Sequence, residues 1–327
     1  MGDRRLELSI GIDLGGTNIK FGLVTKDGRI LKRLNIPTKA HEGPKSVVSR
    51  IVKTIKLLSK DKKIDSIGIG AAGLVDHDKG IIHFSPNLPG WKNIPLKNWI
   101  EKDLKIPVYV GNDVNVFALG EFCFGAGIGS NNLFGITLGT GVGGGIVIRG
   151  KLLLGANHAA GEVGHTSINP FGPKCRCGNR GCLERYVGAE YIVERTIKKL
   201  QGQGSKRKPQ NPKIMKLAKF NYKNITPEII SLAAKRGDEL AKTIVEETGF
   251  YVGLGIANVV SLIDPEIVVI GGGVSGMGRL LLGSVKKTVA ERTMNFSGRK
   301  LKIVFSKLNA DATILGASQL AISSNEN

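Results

Sequence analysis

A strand–glycine loop–strand pattern that occurs twice most constrains how this chain can fold. The first copy is LSIGIDLGGTNIKFGLV, which starts at Leu8, and the second is LFGITLGTGVGGGIVIRG, which starts at Leu133. In each copy an apolar run typical of a buried strand stops at glycines, and a second apolar run follows. The two hairpins predict a duplicated unit with a cleft between its copies.

Predicted strands alternate with predicted helices along the rest of the chain. The apolar positions between Ser46 and Leu58 form one helical face, and IPVYVGND predicts a strand that leads into a helix. Further on, Thr226-Pro227 is typical of a helix start, and EIVVIGGG predicts a buried strand. This alternation predicts an α/β fold with ligand-binding groups at strand ends. The length of 327 residues favours two domains.

Three glycine loops follow predicted strands, at residues 15–17, 139–145 and 271–273. Glycine lets backbone N–H groups approach phosphate oxygens because no Cβ stands in the way, and a threonine in each of the first two loops adds a hydroxyl donor. Neither a Walker A motif nor a dinucleotide-binding fingerprint accompanies these loops. Together with the acidic Asp13 in the first strand, they predict a nucleoside triphosphate held across the cleft.

Five stretches resemble those of a known family. GIDLGGTNIKFGLV, GNDVNVFALGE, LGTGVGGGIVI, GANHAAGEVGHTSI and CRCGNRGCLE resemble the ROK family of sugar kinases and repressors, in order over roughly residues 8–316. SPNLPGWKNIPL is similar to the glucokinase branch of that family. The resemblance implies ATP-dependent phosphorylation of glucose to glucose 6-phosphate, with ATP and Mg²⁺ as cofactors.

The resemblance also implies a two-domain, actin-like ATPase (ribonuclease H-like) fold with a cleft between the domains and a zinc-bound loop. We expect a small N-terminal α/β domain at residues 1–112, completed by a C-terminal helix at about 312–327. A large α/β domain then covers residues 113–311 and carries the zinc loop, residues 165–182. Closure of the domains around the sugar would keep water, a competing phosphoryl acceptor, out of the site.

Individual roles follow from the same resemblance. Asp113 matches the family's catalytic base, which accepts the proton of the sugar hydroxyl. The third glycine loop would lie at the adenosine. The residues implied to bind ATP and Mg²⁺ are Asp13, Gly15, Gly16, Thr17, Lys20, Thr140, Gly141, Gly143, Gly271, Gly272 and Gly273. Those implied to bind the sugar are Gly73, Asn87, Asn112, Asp113, Glu162, His165 and Glu184.

Asp113 also has a purely structural interpretation. Asp is a common N-cap, and a predicted helix starts at Val114. The two roles are compatible, because a carboxylate at a helix N-terminus is kept ionised. The neighbouring Asn112 offers both a donor and an acceptor to sugar hydroxyls.

One short stretch holds a candidate zinc site. The candidate ligands are His165, Cys175, Cys177 and Cys182. One nitrogen and three sulfurs suit a tetrahedral structural zinc, whereas three cysteines cannot pair evenly in disulfides and an intracellular compartment keeps thiols reduced. A closed site of this kind leaves no open position for water, so we expect the zinc to pin the loop. The resemblance implies that His165 uses one ring nitrogen for zinc and the other for sugar, beside Glu162 and Glu184.

The formal charge of +20, from 47 basic and 27 acidic residues, permits a nucleic-acid partner. No zinc-finger, homeodomain or RNA-recognition spacing accompanies this charge, so none is expected. The basic stretch 196–224 predicts a helix end, a surface loop and a short helix. Because neither a signal peptide nor a spanning segment is visible, we expect a cytoplasmic protein without membrane contact.

Two alternatives to a glucose kinase stay open. N-acetylmannosamine, N-acetylglucosamine, mannose or fructose could be the substrate, because residues that bind hydroxyls do not alone determine the substituent at position 2. A non-catalytic sugar-sensing regulator is the other alternative; it calls for a helix-turn-helix domain before the first strand, where only a short segment is present. The family also implies assembly as a homodimer or homotetramer.

Overall fold

A computed structural model describes residues 7–60, 62–202, 213–294 and 300–325. The chain divides into two compact units. The first unit comprises Met1–Gly135, Gly145–Gly161 and Ser306–Asn327. The second comprises Ile136–Gly144 and Glu162–Phe305.

Strands and helices alternate along the described chain. The strands are β1 (Leu8–Leu14), β2 (Asn18–Thr25), β3 (Ile30–Pro37), β4 (Ser66–Ala71), β5 (Leu74–Asp76), β6 (Ile81–Phe84), β7 (Lys92–Ile94), β8 (Val108–Asn112), β9 (Leu133–Leu138), β10 (Val142–Ile148), β11 (Lys151–Leu152), β12 (Ile267–Gly271) and β13 (Lys302–Phe305). The α-helices are α1 (Pro44–Leu58), α2 (Leu96–Leu104), α3 (Asp113–Phe124), α4 (Glu184–Val187), α5 (Ala189–Leu200), α6 (Lys213–Leu217), α7 (Pro227–Lys235), α8 (Glu239–Ile263), α9 (Arg279–Arg292) and α10 (Ala312–Asn325).

A five-stranded sheet in the order β3-β2-β1-β4-β8 forms the centre of the first unit. β1 pairs antiparallel with β2 and parallel with β4, and β4 pairs parallel with β8. The residues of β1 and β4 are almost all buried, as expected of strands covered on both faces. β4 and β8 therefore end at the same edge, which places Asn112 beside Ala71 in register.

The C-terminal helix α10 belongs to the first unit, where it packs on β1, β4 and α3. Glycine makes this approach possible, because a Cβ at Gly68 would overlap the backbone carbonyl of Ala317. α3 also belongs to this unit. The observed division therefore differs from the domain boundary expected at residue 112, which assigns α3 to the large domain.

The second sheet has the order β11-β10-β9-β12-β13. In the second unit α8 packs along α9, and small residues of α8 permit the contact. The N-cap of α7 is Thr226, whose hydroxyl accepts from the Ile229 N–H, and Asp238 caps α8 in the same way through the Ala241 N–H. The helix α7 thus starts where the sequence predicts.

The second glycine loop is shorter than expected. The sequence suggested a loop over residues 139–145, but β10 begins at Val142, so Gly143 and Gly145 lie in a strand. Glycine at position 145 permits a close approach to α3 instead, since a Cβ there would lie 2.5 Å from the Val114 carbonyl oxygen. The loop itself is limited to residues 139–141.

The basic stretch 196–224 is described only in part. Of the basic stretch 196–224, residues 203–212 lie outside the described residues, and α5 and α6 flank them. Cys123 is half-buried in α3, where burial raises the pKa of its thiol to about 11. Within the described residues, no helix is long and apolar enough to cross a membrane.

Candidate active site

The first glycine loop, residues 15–17, joins β1 to β2 and is held by Thr38. The Thr38 N–H donates to the Thr17 carbonyl at 2.8 Å, and the Thr38 hydroxyl donates to the Gly15 carbonyl at 2.6 Å. The Gly15 N–H closes the turn by donating to the Asn18 carbonyl at 3.1 Å. These three hydrogen bonds hold the backbone of the loop.

Asp13 and Lys20 face each other across the β1–β2 ladder. They are partners in register, and Lys20 Nζ lies 2.9 Å from Asp13 Oδ2. The Lys20 side chain is 40% exposed and the Asp13 side chain 18%. Two residues that the resemblance assigns to the nucleotide are thus joined in one ion pair at the base of the loop.

Asn87, assigned to the sugar, packs against the first glycine loop. A Cβ at Gly16 would lie 2.7 Å from the Asn87 carbonyl oxygen and 3.1 Å from the Asn87 Cβ. Only glycine at position 16 permits this contact. The structure therefore joins a candidate phosphate-binding residue and a candidate sugar-binding residue in the first unit.

The junction between β8 and α3 carries Asn112 and Asp113. The N-cap of α3 is Asn112, whose Oδ1 accepts from the N–H groups of Val114 and Asn115 at 2.9 and 3.1 Å. The expectation that Asp113 is the N-cap is therefore wrong. Asn112 has the extended backbone that a cap requires, whereas Asp113 is already the first helical residue.

Asn112 is also bonded on its amide side. Its Nδ2 donates to the Gly73 carbonyl at 3.0 Å, so Gly73 and Asn112, both assigned to the sugar, are in direct contact. Gly73 has a φ of 114°, a conformation that favours glycine. One of the two Nδ2 hydrogens is thus left for a ligand, whereas Oδ1 already accepts two bonds.

Asp113 lies half-buried in the first turn of α3. Its Oδ1 accepts from the Val114 N–H at 3.0 Å. A carboxylate in the first turn of a helix is favoured in its ionised form by the helix dipole. This environment suits a group that must be unprotonated in order to accept a proton.

The second glycine loop, residues 139–141, contacts Glu184. Glu184 Oε2 accepts from the Val142 N–H at 3.0 Å, and a Cβ at Gly141 would lie 2.7 Å from the same oxygen. This contact has no local sequence signal, because the two partners are 42 residues apart. A candidate sugar-binding carboxylate therefore supports a candidate phosphate-binding loop in the second unit.

The third glycine loop follows β12. Gly271 is buried at the end of the strand, and Gly272 has a φ of 85°. A side chain at Gly272 would overlap the backbone of Leu138. The loop thus depends on glycine both for its conformation and for its packing, and its exposed Gly273 begins a short 3-10 helix.

His165 ends a 3-10 helix, Val163–His165, and exposed Glu162 is the residue before it. The candidate zinc ligands converge here: the four donor atoms all lie within 4.8 Å of one another. His165 Nδ1 lies 3.9 Å from Cys175 Sγ, and Cys177 Sγ lies 3.7 Å from Cys182 Sγ. The cysteines are free, because a disulfide would need sulfurs about 2.05 Å apart.

These distances fit a tetrahedral zinc ion. Zn–S bonds of about 2.3 Å separate the sulfurs of such a site by about 3.8 Å. Burial raises the pKa of Cys182 to about 12, whereas a hydrogen bond from the backbone of Asn179 lowers that of Cys177. Because Nδ1 is the ring nitrogen nearest the sulfurs, Nε2 of His165 is the one left for another partner.

A polar cluster next to β5 is absent from the sequence predictions. His158 Nδ1 lies 3.7 Å from Asp76 Oδ1, and His158 Nε2 lies 3.4 Å from Asp78 Oδ2. Between these two acids, His77 is half-buried, and burial lowers its pKa to about 4. The Asn112 backbone N–H donates to His77 Nε2 at 3.3 Å, which joins this cluster to the β8–α3 junction.

Comparison with known proteins places the chain in a family. A family model described as the ROK family matches residues 9–324. The chain belongs to the ROK family. The glucokinase of Thermotoga maritima is 38% identical over 311 residues, which cover 95% of this chain and 96% of that protein. The family expected from the motifs is therefore confirmed.

Two solved structures match this fold with a TM-score of 0.83. One is a ROK family glucokinase from Streptomyces griseus in complex with glucose and AMPPNP, 34% identical, with 97% of this chain and 99% of that chain covered. The other is a ROK family transcriptional regulator, a homologue of the E. coli MLC protein, 30% identical, with 96% and 77% covered. The predicted α/β, actin-like ATPase fold is confirmed.

Proposed function

We propose that this ROK family protein transfers the γ-phosphoryl group of ATP to the 6-hydroxyl of glucose. The observation that carries the proposal is the match to the Streptomyces griseus glucokinase, whose crystal structure contains glucose and AMPPNP and is covered over 99% of its length. The Thermotoga maritima glucokinase, covered over 96%, supports the same activity.

Asp113 is the proposed general base. It accepts the proton of the sugar hydroxyl as that oxygen attacks the phosphorus, and a carboxylate held at a helix N-terminus is suited to start unprotonated. The Asn112 cap supports this role, because it fixes the first turn of α3 on which Asp113 lies. Most of the remaining catalytic effect in phosphoryl transfer comes from positioning and from charge stabilisation.

The proposed phosphate-binding groups are the first and second glycine loops, with Thr17 and Thr140 as hydroxyl donors and Asp13 and Lys20 beside the first loop. The third loop, residues 271–273, is proposed to hold the adenosine. Mg²⁺, when bound with ATP, neutralises charge on the phosphates. Gly143 lies in β10 next to the loop, and its contact with the phosphates stays a prediction.

The proposed sugar-binding residues of the second unit are Glu162, His165 and Glu184. The sulfur-rich donor set fits zinc, which would be held by His165 Nδ1 and the three cysteines. Zinc there would pin the segment between His165 and Cys182 and would orient the His165 ring so that Nε2 meets a hydroxyl. In the first unit, Gly73, Asn87 and Asn112 complete the proposed set.

The substitution Asp113→Asn tests the proposed base. We expect kcat for glucose to fall by roughly 10²–10⁴-fold, the usual contribution of a general base, while glucose still binds with an affinity near that of the wild type. Asp103→Asn is the matched control, because Asp103 is an exposed carboxylate on α2 of the same unit. Normal turnover in Asp113→Asn would show that another group accepts the proton.

A sugar-sensing regulator is the second candidate, favoured by the match to the ROK transcriptional regulator. This function predicts that glucose binds without ADP release in the presence of Mg-ATP. A titration against duplex DNA at physiological salt supplies the second readout, and affinity that persists there would favour the regulator. Assembly as a homodimer or homotetramer stays a prediction, which light scattering tests.

A further inference from the structure

The β8 strand lies at the edge of the first-unit sheet, so the N–H groups on its outer side have no neighbouring strand of that sheet. At Asn112, the residue before Asp113, a side chain takes the place of a neighbouring strand as the hydrogen-bond acceptor. The Asn112 N–H donates to His77 Nε2 at 3.3 Å. This N–H is partly buried, and a backbone N–H removed from water without a partner is costly, so the imidazole stabilises the end of β8.

The His77 ring is itself held in place. It packs against Gly111, where an added Cβ would lie 3.0 Å from the ring Cε1. The His77 backbone N–H donates to His158 Nδ1 at 3.3 Å, and His158 Nε2 lies 3.4 Å from Asp78 Oδ2. The acceptor of the Asn112 N–H is therefore fixed from two sides.

The ring has the protonation state that this contact needs. Burial, followed by the nearby His158, lowers the pKa of His77 to about 4, so the ring is neutral at neutral pH. Because Nε2 accepts a hydrogen bond, the single ring proton belongs on Nδ1.

We propose that His77 is a positioning residue for proton transfer, which holds the β8–α3 junction so that Asn112 caps the helix and Asp113 keeps its place. The inference rests on the proposed function. His77 acts through Asn112, which bonds to it through the backbone and to α3 through the side chain. A displacement of about 1 Å at a reacting group can lower a rate by about 100-fold, so a single hydrogen bond here has a large effect on turnover.

The test compares His77→Leu, which cannot accept a hydrogen bond, with His77→Gln, whose side-chain oxygen can. We expect His77→Leu to lower kcat for glucose by roughly 10–100-fold with KM changed little, and His77→Gln to retain most of the turnover. His41→Leu is the matched control, because His41 is exposed in the 3-10 helix Ala40–Glu42 and does not belong to the His158–Asp76–Asp78 cluster. Equal losses in the Leu and Gln variants, or full turnover in His77→Leu, would overturn the proposal.

Hydrogen exchange of the Asn112 amide gives a readout that does not depend on activity. We expect faster exchange in His77→Leu and near-normal exchange in His77→Gln. If the wild type phosphorylates no sugar, the proposed function fails while this exchange still tests the contact, and unchanged exchange in His77→Leu overturns it. Should His77→Leu fail to fold, His158→Ala replaces it; we expect a smaller change in the same direction, and unchanged exchange and kcat would contradict the proposal.

Discussion

The first and second glycine loops share one sequence pattern but are held by different groups. The first loop is fixed by the backbone and hydroxyl of Thr38 and lies against the backbone of Asn87. The second loop is held by the Ala189 N–H, which donates to the Gly139 carbonyl at 2.9 Å, and by the Glu184 carboxylate on the Val142 N–H. Thr38 thus holds the first loop with uncharged groups, whereas a charged side chain is part of the support of the second.

Because of this difference, we expect sugar binding to affect the second loop more than the first. A carboxylate assigned to sugar binding also bonds to the second loop, so a change at Glu184 reaches that loop directly. At its contact with Asn87, the first loop meets only backbone and uncharged atoms. We therefore expect sugar and nucleotide affinity to be coupled through the second unit more than through the first.

Loss of zinc should give the largest effect on the second unit. Chelation, or Cys177→Ser, removes the ion that would hold His165, and we expect glucose KM to rise by about 10–100-fold with a lower Tm. Cys123→Ser is the control, because this cysteine lies in α3, outside the cluster. An unchanged glucose KM in protein whose loss of zinc is verified by mass spectrometry would contradict the proposal that zinc orients His165.

Two substitutions of Glu184 sharpen the comparison next. Glu184→Ala removes both the sugar contact and the bond to Val142, so we expect the KM values of glucose and ATP both to rise, glucose by about 10–100-fold. Glu184→Gln retains an oxygen that can accept from the Val142 N–H, so only the glucose KM should rise strongly. Equal ATP KM values in the two variants would show that the loop does not depend on this carboxylate.

A Cβ added to each loop separates stability from affinity. In Gly16→Ala the new atom meets backbone of Asn87, which cannot move aside easily, and we expect a loss of about 1–3 kcal/mol in the free energy of unfolding. In Gly141→Ala it meets the end of the Glu184 side chain, so stability should change less while glucose KM rises. Denaturant unfolding and steady-state kinetics of the two variants check this pattern. A larger loss of stability in Gly141→Ala than in Gly16→Ala would contradict it.

The smallest effect is expected at the Asp13–Lys20 ion pair. Lys20→Met should change stability by no more than about 1 kcal/mol, because the pair is partly exposed, and should raise ATP KM modestly while leaving glucose KM unchanged. Lys26→Met, which removes the exposed pair with Glu7, is the control. A larger change in glucose KM than in ATP KM would contradict the assignment of Lys20 to the nucleotide.

Short-range patterns predicted much of this molecule. The strands beside the glycine loops, the cap at Thr226 and the cysteine cluster all depend on residues close in sequence, so local patterns revealed them. The predicted length of the second loop was wrong because glycines, which are typical of turns, here lie inside β10, and Gly145 packs closely on α3.

The cap of α3 and the contacts between distant residues could not be predicted. Asn and Asp are both good caps, and only the backbone at the end of β8 decides that Asn112, not the adjacent Asp113, takes the role. The bonds from Val142 to Glu184 and from Asn112 to His77 join residues 42 and 35 positions apart, and neither pair has a local signal. Tertiary structure alone brings these groups together.

The most direct test of the central claim is ADP release by the wild-type protein with Mg-ATP and a panel of sugars. The panel consists of glucose, mannose, fructose, N-acetylglucosamine and N-acetylmannosamine. We expect turnover, with the highest kcat/KM for glucose. Turnover of an N-acetylated sugar alone would contradict the proposed substrate, and binding of glucose without turnover of any sugar would contradict the proposed activity.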